Sequence, residues 1–426
     1  MTIQNSTLLR RVTPEQVQRS GEGPVDRETL AKTQELIDEI LGAGEMGRTS
    51  AARAMAERFG DLNPSEPMLC EPDAMKRALE SIDPEDRSAL ERAADRIRRF
   101  AKAQRAAIGE VTVDIPGGQA GHTIEPVSSA GCYAPGGRYP LPSSVLMTAI
   151  TARAAGCERV VVASPNSNPI MLAAASIAGC DSFLSIGGVQ AITALTYGID
   201  GCAPVDVIAG PGNRWVTAAK QLLVGEVGID MLAGPSELMI LADETADARL
   251  IAADLLAQAE HDTDASAMLV TTCGELIERV EIELRAQLKA LPTRSVASVS
   301  LGNGFACLVD DLEHAVIVAD RVAPEHLEIM TVNASAVAQQ VHNAGAVFVG
   351  DRSAEVFGDY GAGPNHTLPT GGTARSQAGL SVMSFLRLRT WIRIDDSIQA
   401  SAMKDDTARL ARLEGLAGHE RSTLMR

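Results

Sequence analysis

Apolar residues recur at helical spacing among many charges over residues 26–59 and again over 71–107, and each stretch reads as one or two amphipathic helices. Pro84 interrupts the second stretch and predicts a fresh helix start, with Asp83 as its N-cap, because proline's missing N–H and fixed φ suit a first helical turn. The Pro/Gly-rich run at 131–143 (GCYAPGGRYPLPS) ends this pattern. Beyond it, short apolar runs precede helical stretches in alternation: 160–163 before 168–178, 183–186 before 189–197, and 205–208 before 213–223. The rhythm continues with 238–241 before 246–259, 267–271 before 275–289, strands near 305–309 and 328–332, a helix at 335–342 and a strand at 346–349. Short, continuously apolar strands alternating with helices imply βαβ units and parallel sheets covered on both faces.

Two α/β units follow from this layout. We expect one from residues 23–131 together with 238–379, and the other from 132–237, where the glycine-rich loops lie. Residues 1–22 form a polar N-terminal extension, and 380–426 a C-terminal tail that is helical and charged, without a strand, from about Asp395 onward. No internal repeat is visible, although two similar βαβ halves would be compatible with an old duplication.

Charge narrows the choice of partners. A net charge of −17 disfavours nucleic acid and anionic membrane surfaces, which need a basic face, and an aromatic content of 3% leaves few rings for base stacking. Seven scattered cysteines without a C-x-x-C pair argue against a disulfide framework and fit a reducing compartment. Residues 1–11 hold no apolar signal-peptide core and no window is long and apolar enough to span a bilayer, so the chain reads as cytoplasmic.

The seven histidines concentrate the candidate chemistry. His122, His314 and His342 have no companion motif and read as surface or half-buried polar residues. Gln258 and His261 are three apart at the end of an apolar helix, which puts both on one face and suits two ligands of one metal ion; taken alone, the pair reads more readily as a polar helix end with His261 as a cap. Adjacent Glu325 and His326 at the mouth of a strand form a general-base pair by type, against the plainer reading of solvated loop charges. Asp359 is a hard oxygen ligand that zinc accepts, and His366 could hydrogen-bond a substrate. Five glycines between 358 and 372 would let backbone approach a ligand closely, or make an ordinary surface loop. Glu414 and His419 in the tail look unremarkable by themselves. Four glycine loops, at 133–137, 187–190, 210–213 and 234–237, adjoin predicted strands. Loops at the carboxyl ends of a parallel sheet bind ligands, yet no G-x-G-x-x-G fingerprint is present, so they are nucleotide-compatible without being diagnostic.

In order and joint spacing these motifs resemble the histidinol dehydrogenase family along essentially the whole chain. The runs that carry the resemblance are YAPGG, PLPSSVLM, GPGN, IDMLAGPSE, QAEHD, APEHLE, GDYGAGPNH, LPTGG and EGLAGH. It implies two incomplete Rossmann-like parallel-sheet domains with small N- and C-terminal helical segments, which accounts for the missing fingerprint. The implied activity is the last step of histidine biosynthesis: zinc-dependent, NAD-linked oxidation of L-histidinol through L-histidinal to L-histidine by two hydride transfers. Position by position, the resemblance makes Gln258, His261, Asp359 and His419 ligands of one zinc per subunit and Glu325 and His326 the catalytic acid/base pair. Ser236, His366 and Glu414 become substrate contacts, together with His326 and the zinc ligands. Tyr133, Gln190 and Asn213 become NAD contacts. It also implies a homodimer in which the tail, with Glu414 and His419, reaches the partner's site. Departures are few: Leu232 stands where the family commonly has Pro and Thr367 where it often has Val, and neither touches an assigned role.

Three other readings are weighed against this one. A relative on the same fold could oxidise another small primary alcohol, such as a sulfonated propanediol; Glu414 and His419 together favour the imidazole-bearing substrate. A zinc hydrolase would leave the four glycine loops unexplained, and a non-catalytic binding protein would not need the acid/base pair. Within the oxidation, we expect hydration of the aldehyde with Glu325 activating water, and a thiohemiacetal on Cys132 as the rival scheme.

Overall fold

The computed structural model describes residues 7–18, 25–136 and 139–426, so Gly137 of the YAPGG run and part of the N-terminal extension lie outside the described residues. The chain opens with β1 (Arg10–Val12), then α1 (Arg27–Gly42), α2 (Gly44–Phe59), β2 (Leu69–Cys70), α3 (Pro72–Ser81) and α4 (Pro84–Ala106). Asp83 caps α4 by accepting from the N–H groups of Glu85 and Asp86, as its place before Pro84 predicts. An antiparallel hairpin follows, β3 (Val111–Ile115) and β4 (Gly118–Pro126).

The first βαβ series runs β5 (Ser129–Tyr133), α5 (Pro142–Ala155), β6 (Arg159–Ala163), α6 (Pro169–Ala178), β7 (Ser182–Leu184), α7 (Gly188–Tyr197), β8 (Val207–Ala209), α8 (Arg214–Leu223) and β9 (Gly228–Ile229). The second begins β10 (Glu237–Ala242), α9 (Ala248–Ala259), β11 (Ser266–Thr271), α10 (Gly274–Leu288), α11 (Arg294–Ser300) and β12 (Phe305–Leu308). It continues α12 (Leu312–Val322), β13 (His326–Met330), α13 (Ala334–Ala338), β14 (Ala346–Val349) and α14 (Val356–Tyr360). The chain closes with β15 (Leu386–Ile394), α15 (Ser401–Leu413) and α16 (Ala417–Leu424).

The two series build two sheets with the same wiring. One sheet has the order β2-β7-β6-β5-β8-β9 and the other β1-β12-β11-β10-β13-β14. In each, the first strand of the series sits centrally, the next two step outward on one side, and the last two cross to the other. Except for the antiparallel edge strand β2, all pairings in both sheets are parallel. This is the Rossmann-like order, shortened by one strand in each case.

Each apolar strand serves two cores. Val160 and Val162 of β6 face one hydrophobic cluster and Val161 and Ala163 the opposite one. Leu238 and Ile240 of β10 likewise face away from Met239 and Leu241. Alternation is therefore present but hidden, because both faces are covered and both demand apolar side chains.

The sheets divide the chain differently from the expected grouping of 23–131 with 238–379. Helices α1 and α2 pack on α7 and α8, α3 packs on α6, and α4 on α5, while β2 pairs with β7. The helical start thus covers the sheet built from 129–229, not the one built from 237–349. An amphipathic stripe states that a helix is covered and leaves open which sheet covers it. The N-terminal extension, by contrast, adds β1 to the edge of the other sheet against β12. The tail region also carries a strand before its helices: β15 pairs with β4 in a three-stranded antiparallel sheet ordered β15-β4-β3.

Candidate active site

Glu325 and His326 enter the sheet from a constrained turn. Helix α12 ends at Ala323 in the left-handed region (φ 54°), Pro324 follows, and the chain drops directly into β13. The register sets His326 beside Leu238, at the amino-terminal start of β10 and β13. There Glu325 Oε2 accepts from Ser236 Oγ (2.6 Å) and from the Glu237 N–H (2.9 Å). His326 Nδ1 lies 3.1 Å from the Glu237 carbonyl oxygen. A carbonyl only accepts, so Nδ1 carries the proton and Nε2 is left with its lone pair as the basic atom.

Burial dominates the ionisation of this pair. It pushes Glu325 up to about 8, against the bonds from Ser236 and Glu237, and holds His326 below the usual imidazole range despite the nearby charge of Asp359. Both groups are therefore kept neutral, which suits groups that must pick up and release protons near neutrality.

The second part of the cluster comes from helix and loop ends. Because α9 runs back antiparallel to β10, its C-terminus returns to the amino edge of the sheet with Gln258 and, just beyond it, His261. Gln258 is fully buried and, among the described residues, neither of its amide atoms has a hydrogen-bond partner. Asp359, buried on the short α14, approaches His261 Nε2 at 3.8 Å and His366 Nδ1 at 3.7 Å. On its other side His366 Nε2 meets Ser144 Oγ of α5 at 3.3 Å.

Glu355, which the motif reading did not single out, lies at the centre of this arrangement. It is 1% exposed, its carboxyl group faces that of Asp359, and Oε1 stands 3.5 Å from His326 Nε2. Burial, then the charges of Asp359 and Glu328, push it up to about 9. His261, Glu355 and Asp359 offer ligand atoms that all lie within 4.8 Å of one another. The unpartnered amide of Gln258 and the clustered carboxylates beside an imidazole are a donor set of the kind zinc accepts, and a bound cation would satisfy groups that are otherwise costly to bury. Glu355 escaped sequence reading because it is one acid in an unpatterned loop, and only the fold brings it under His326. Behind it, Glu328 accepts from the Glu355 N–H (2.6 Å), and burial pushes Glu328 up to about 8 and Asp254 up to about 6.

Glu414 and His419 are not brought to this cluster. They are exposed on the α15–α16 hairpin, whose two helices pack on each other around a groove that includes Leu410 and Leu416. Among the described residues, the ligand set assigned by motif is thus incomplete within one chain. His122, His314 and His342 also stand apart from the cluster, as their settings suggested.

A second group of motif residues lies at the carboxyl ends of the other sheet. The Tyr133 hydroxyl, at the end of β5, accepts from the Gly188 N–H (3.2 Å), and burial pushes the phenol up to about 12. Gln190 donates through Nε2 to Asp61 Oδ2 (2.6 Å), and Asn213 caps α8 by accepting from the N–H groups of Trp215 and Val216. Gly210 has φ 125°, and a Cβ there would lie 2.0 Å from the Tyr133 carbonyl oxygen, so only glycine fits this turn. A buried ion pair clamps it: Lys220 Nζ donates to the Gly210 carbonyl (3.0 Å) and to Asp230, which itself accepts from the Gly210 N–H (2.8 Å). Cys132 faces away from this edge. It is fully buried in the core, and burial raises its thiol well above the usual range, which removes the reactivity a thiohemiacetal needs.

The glycine loops of the first sheet follow the carboxyl ends of β5, β7 and β8, whereas the acid/base and metal-type cluster sits at the amino edge of the second sheet. Among the described residues no helix is long and apolar enough to cross a membrane.

The sequence model of the histidinol dehydrogenase family matches residues 25–426. Histidinol dehydrogenase of Prochlorococcus marinus (strain MIT 9313) is 41% identical over 420 residues, 97% of this chain and 93% of that protein. The Thermus thermophilus histidinol dehydrogenase is 46% identical over 354 residues, 83% of this chain and 85% of its own. The crystal structure of histidinol dehydrogenase from Elizabethkingia anophelis superposes with a TM-score of 0.90 at 30% identity, covering 99% of this chain and 98% of that one.

Proposed function

Because the chain belongs to the histidinol dehydrogenase family, and is an oxidoreductase of that kind, we propose that it oxidises L-histidinol through L-histidinal to L-histidine. The observation that carries the reading is the buried Glu325–His326 pair, its basic Nε2 aimed at the cluster of Glu355, Asp359 and His261.

Gln258, His261 and Asp359, completed by His419 of the partner subunit, would hold one zinc. When bound, zinc anchors the substrate's imidazole and amine, and the unpartnered amide of Gln258 supports that placement. NAD, held at Tyr133, Gln190 and Asn213, supplies the acceptor for one hydride in each of two oxidations. Ser236, His366 and, from the partner subunit's tail, Glu414 orient the substrate. His326 takes the hydroxyl proton on Nε2, while the Glu237 carbonyl keeps its Nδ1 protonated and the ring in place. Glu325, once in its carboxylate form, removes a proton from the water that adds to the aldehyde. Ser236 and the Glu237 N–H aim its Oε2 for that step. After passing its first proton to solvent, His326 takes a hydroxyl proton from the hydrate as the second hydride leaves.

The exposed hairpin supports a homodimer, since Glu414 and His419 stand away from the cluster of their own chain and are free to enter that of a second copy. Exposed Leu388 and Ile392 of β15 and Leu413 of α15 supply apolar surface for it. The reading is tested by NADH formation from limiting L-histidinol. Two NADH per histidinol, lost on chelation and restored by zinc, support it. One NADH would confine the enzyme to the alcohol step, and none would remove histidinol as substrate.

A further inference from the structure

The loops after β6 and β7 are tied by one residue that comes from neither, through its backbone to the first and its side chain to the second. Asp61 follows the left-handed C-cap Gly60 of α2, in the helical layer over this sheet. Its Oδ2 accepts from the Gly187 N–H (3.0 Å) and from Gln190 Nε2 (2.6 Å), and its backbone carbonyl accepts from the N–H of Asn166 (3.2 Å). Asn166 itself has φ 66°, in the region that non-glycine residues seldom occupy. Gly187 is pressed against Pro165, where a Cβ would come within 2.9 Å, so the two loops are in direct contact above Asp61.

Asp61 is half-buried and, among the described residues, has no cationic partner. Burial raises its pKa. A half-buried carboxylate without an ion pair is costly, and here it is stabilised by two donors from the loop after β7 and the first turn of α7. Its effect on Gln190 is specific. A carboxylate accepts and does not donate, so the NH2 end of the amide must face Asp61. That leaves Oε1 beside Gly188, within 3.2 Å of where a Cβ on that residue would stand, at the first turn of α7. Gly188 is also the residue whose N–H is held by the Tyr133 hydroxyl.

We propose that Asp61 is a positioning residue of the dinucleotide site, fixing the amide of Gln190 so that its carbonyl oxygen is presented to a donor on the bound NAD. The proposal rests on the reading of Tyr133, Gln190 and Asn213 as NAD contacts. Asp61 does not touch the dinucleotide; it acts through Gln190 and the Gly187–Gly188 backbone.

The test is steady-state kinetics and calorimetric NAD binding on the zinc-loaded enzyme: wild type, Asp61→Asn, Gln190→Ala and the double variant. Asp61→Asn is expected to raise the KM and Kd for NAD by about 10- to 100-fold, the scale of a lost bond to a charged group. kcat and the KM for histidinol should stay within about twofold, and the double variant should bind NAD no worse than Gln190→Ala. A loss spread evenly over kcat and both KM values, or full additivity of the two substitutions, would overturn the proposal in favour of a purely structural tie. If Asp61→Asn does not fold, Asp61→Glu, which keeps the charge and displaces the oxygens by a methylene, is expected to show the same NAD-only defect. Wild type that neither binds nor reduces NAD would sink the NAD reading and this proposal with it. Normal NAD use by wild type and Asp61→Asn alike would sink this proposal alone.

Discussion

Glu325 and His326 differ in how each was visible. Their types and adjacency mark an acid/base pair in the sequence, but their ionisation comes from burial, and the basic atom of His326 is chosen by the Glu237 carbonyl 3.1 Å from Nδ1. Replacing Glu325 with Gln should slow aldehyde oxidation by about 10²- to 10⁴-fold, the usual worth of a general base. The product count then falls toward one NADH per histidinol with histidinal accumulating; an undiminished count of two would exclude Glu325 as the water-activating base. Because burial raises Glu325 to about 8, its carboxylate form grows as pH rises through that value. Cys132→Ser should leave both steps intact, since the thiol is fully buried in the core; loss of the aldehyde step alone would restore the thiohemiacetal scheme. Glu355 and Asp61 could not be found from motifs, because neither has a patterned neighbour and each matters only through what the fold sets against it.

At the scale of elements, most strands of the two series, though not the central β5, which runs into the Pro/Gly-rich segment, were legible because parallel strands covered on both faces must be continuously apolar. Helix α5 was not, for a related reason: ten of its fourteen residues are buried, so it shows no polar face from which a period could be read. The β15–β4 pairing joins segments more than 260 residues apart, which local pattern cannot anticipate. The GPGN loop depends on a feature of the same kind. Lys220 and Asp230 lie on either side of Gly210 in space, both buried. Lys220→Met should destabilise the protein by about 3–5 kcal/mol by stranding the Asp230 charge, whereas removing both charges together should cost much less. Denaturant unfolding of the single and double variants measures this, and equal losses would mean that the pair is not coupled.

For the whole molecule, two predictions concern assembly and charge. If Glu414 and His419 act in the partner's site, mixing Glu325→Gln chains with His419→Ala chains should restore about a quarter of the wild-type activity, from heterodimers with one intact site each. No recovery from mixed dimers would place the tail in its own subunit's site. Separately, Glu237, Glu325, Glu328 and Glu355 are raised to about 7, 8, 8 and 9, chiefly by burial. Between the ordinary carboxylate range and those values the folded chain holds more protons than the unfolded one, so stability is fullest below that window and falls as pH rises through it. The melting temperature of chelator-treated protein should therefore drop from about pH 5 to about pH 9, and zinc should flatten the profile by compensating the buried negative charge. An unchanged slope with zinc would argue that the ion does not bind at the acidic cluster. The sequence by itself determined the alternation of the two α/β series, most of their strands and the motif residues, since local apolar period and residue type decide those. Only the tertiary structure decided which sheet the first four helices cover, which buried acids surround His326 and which carboxylate holds Gln190. Those are contacts between distant segments, and they depend on how faces pack rather than on which residues adjoin in the chain.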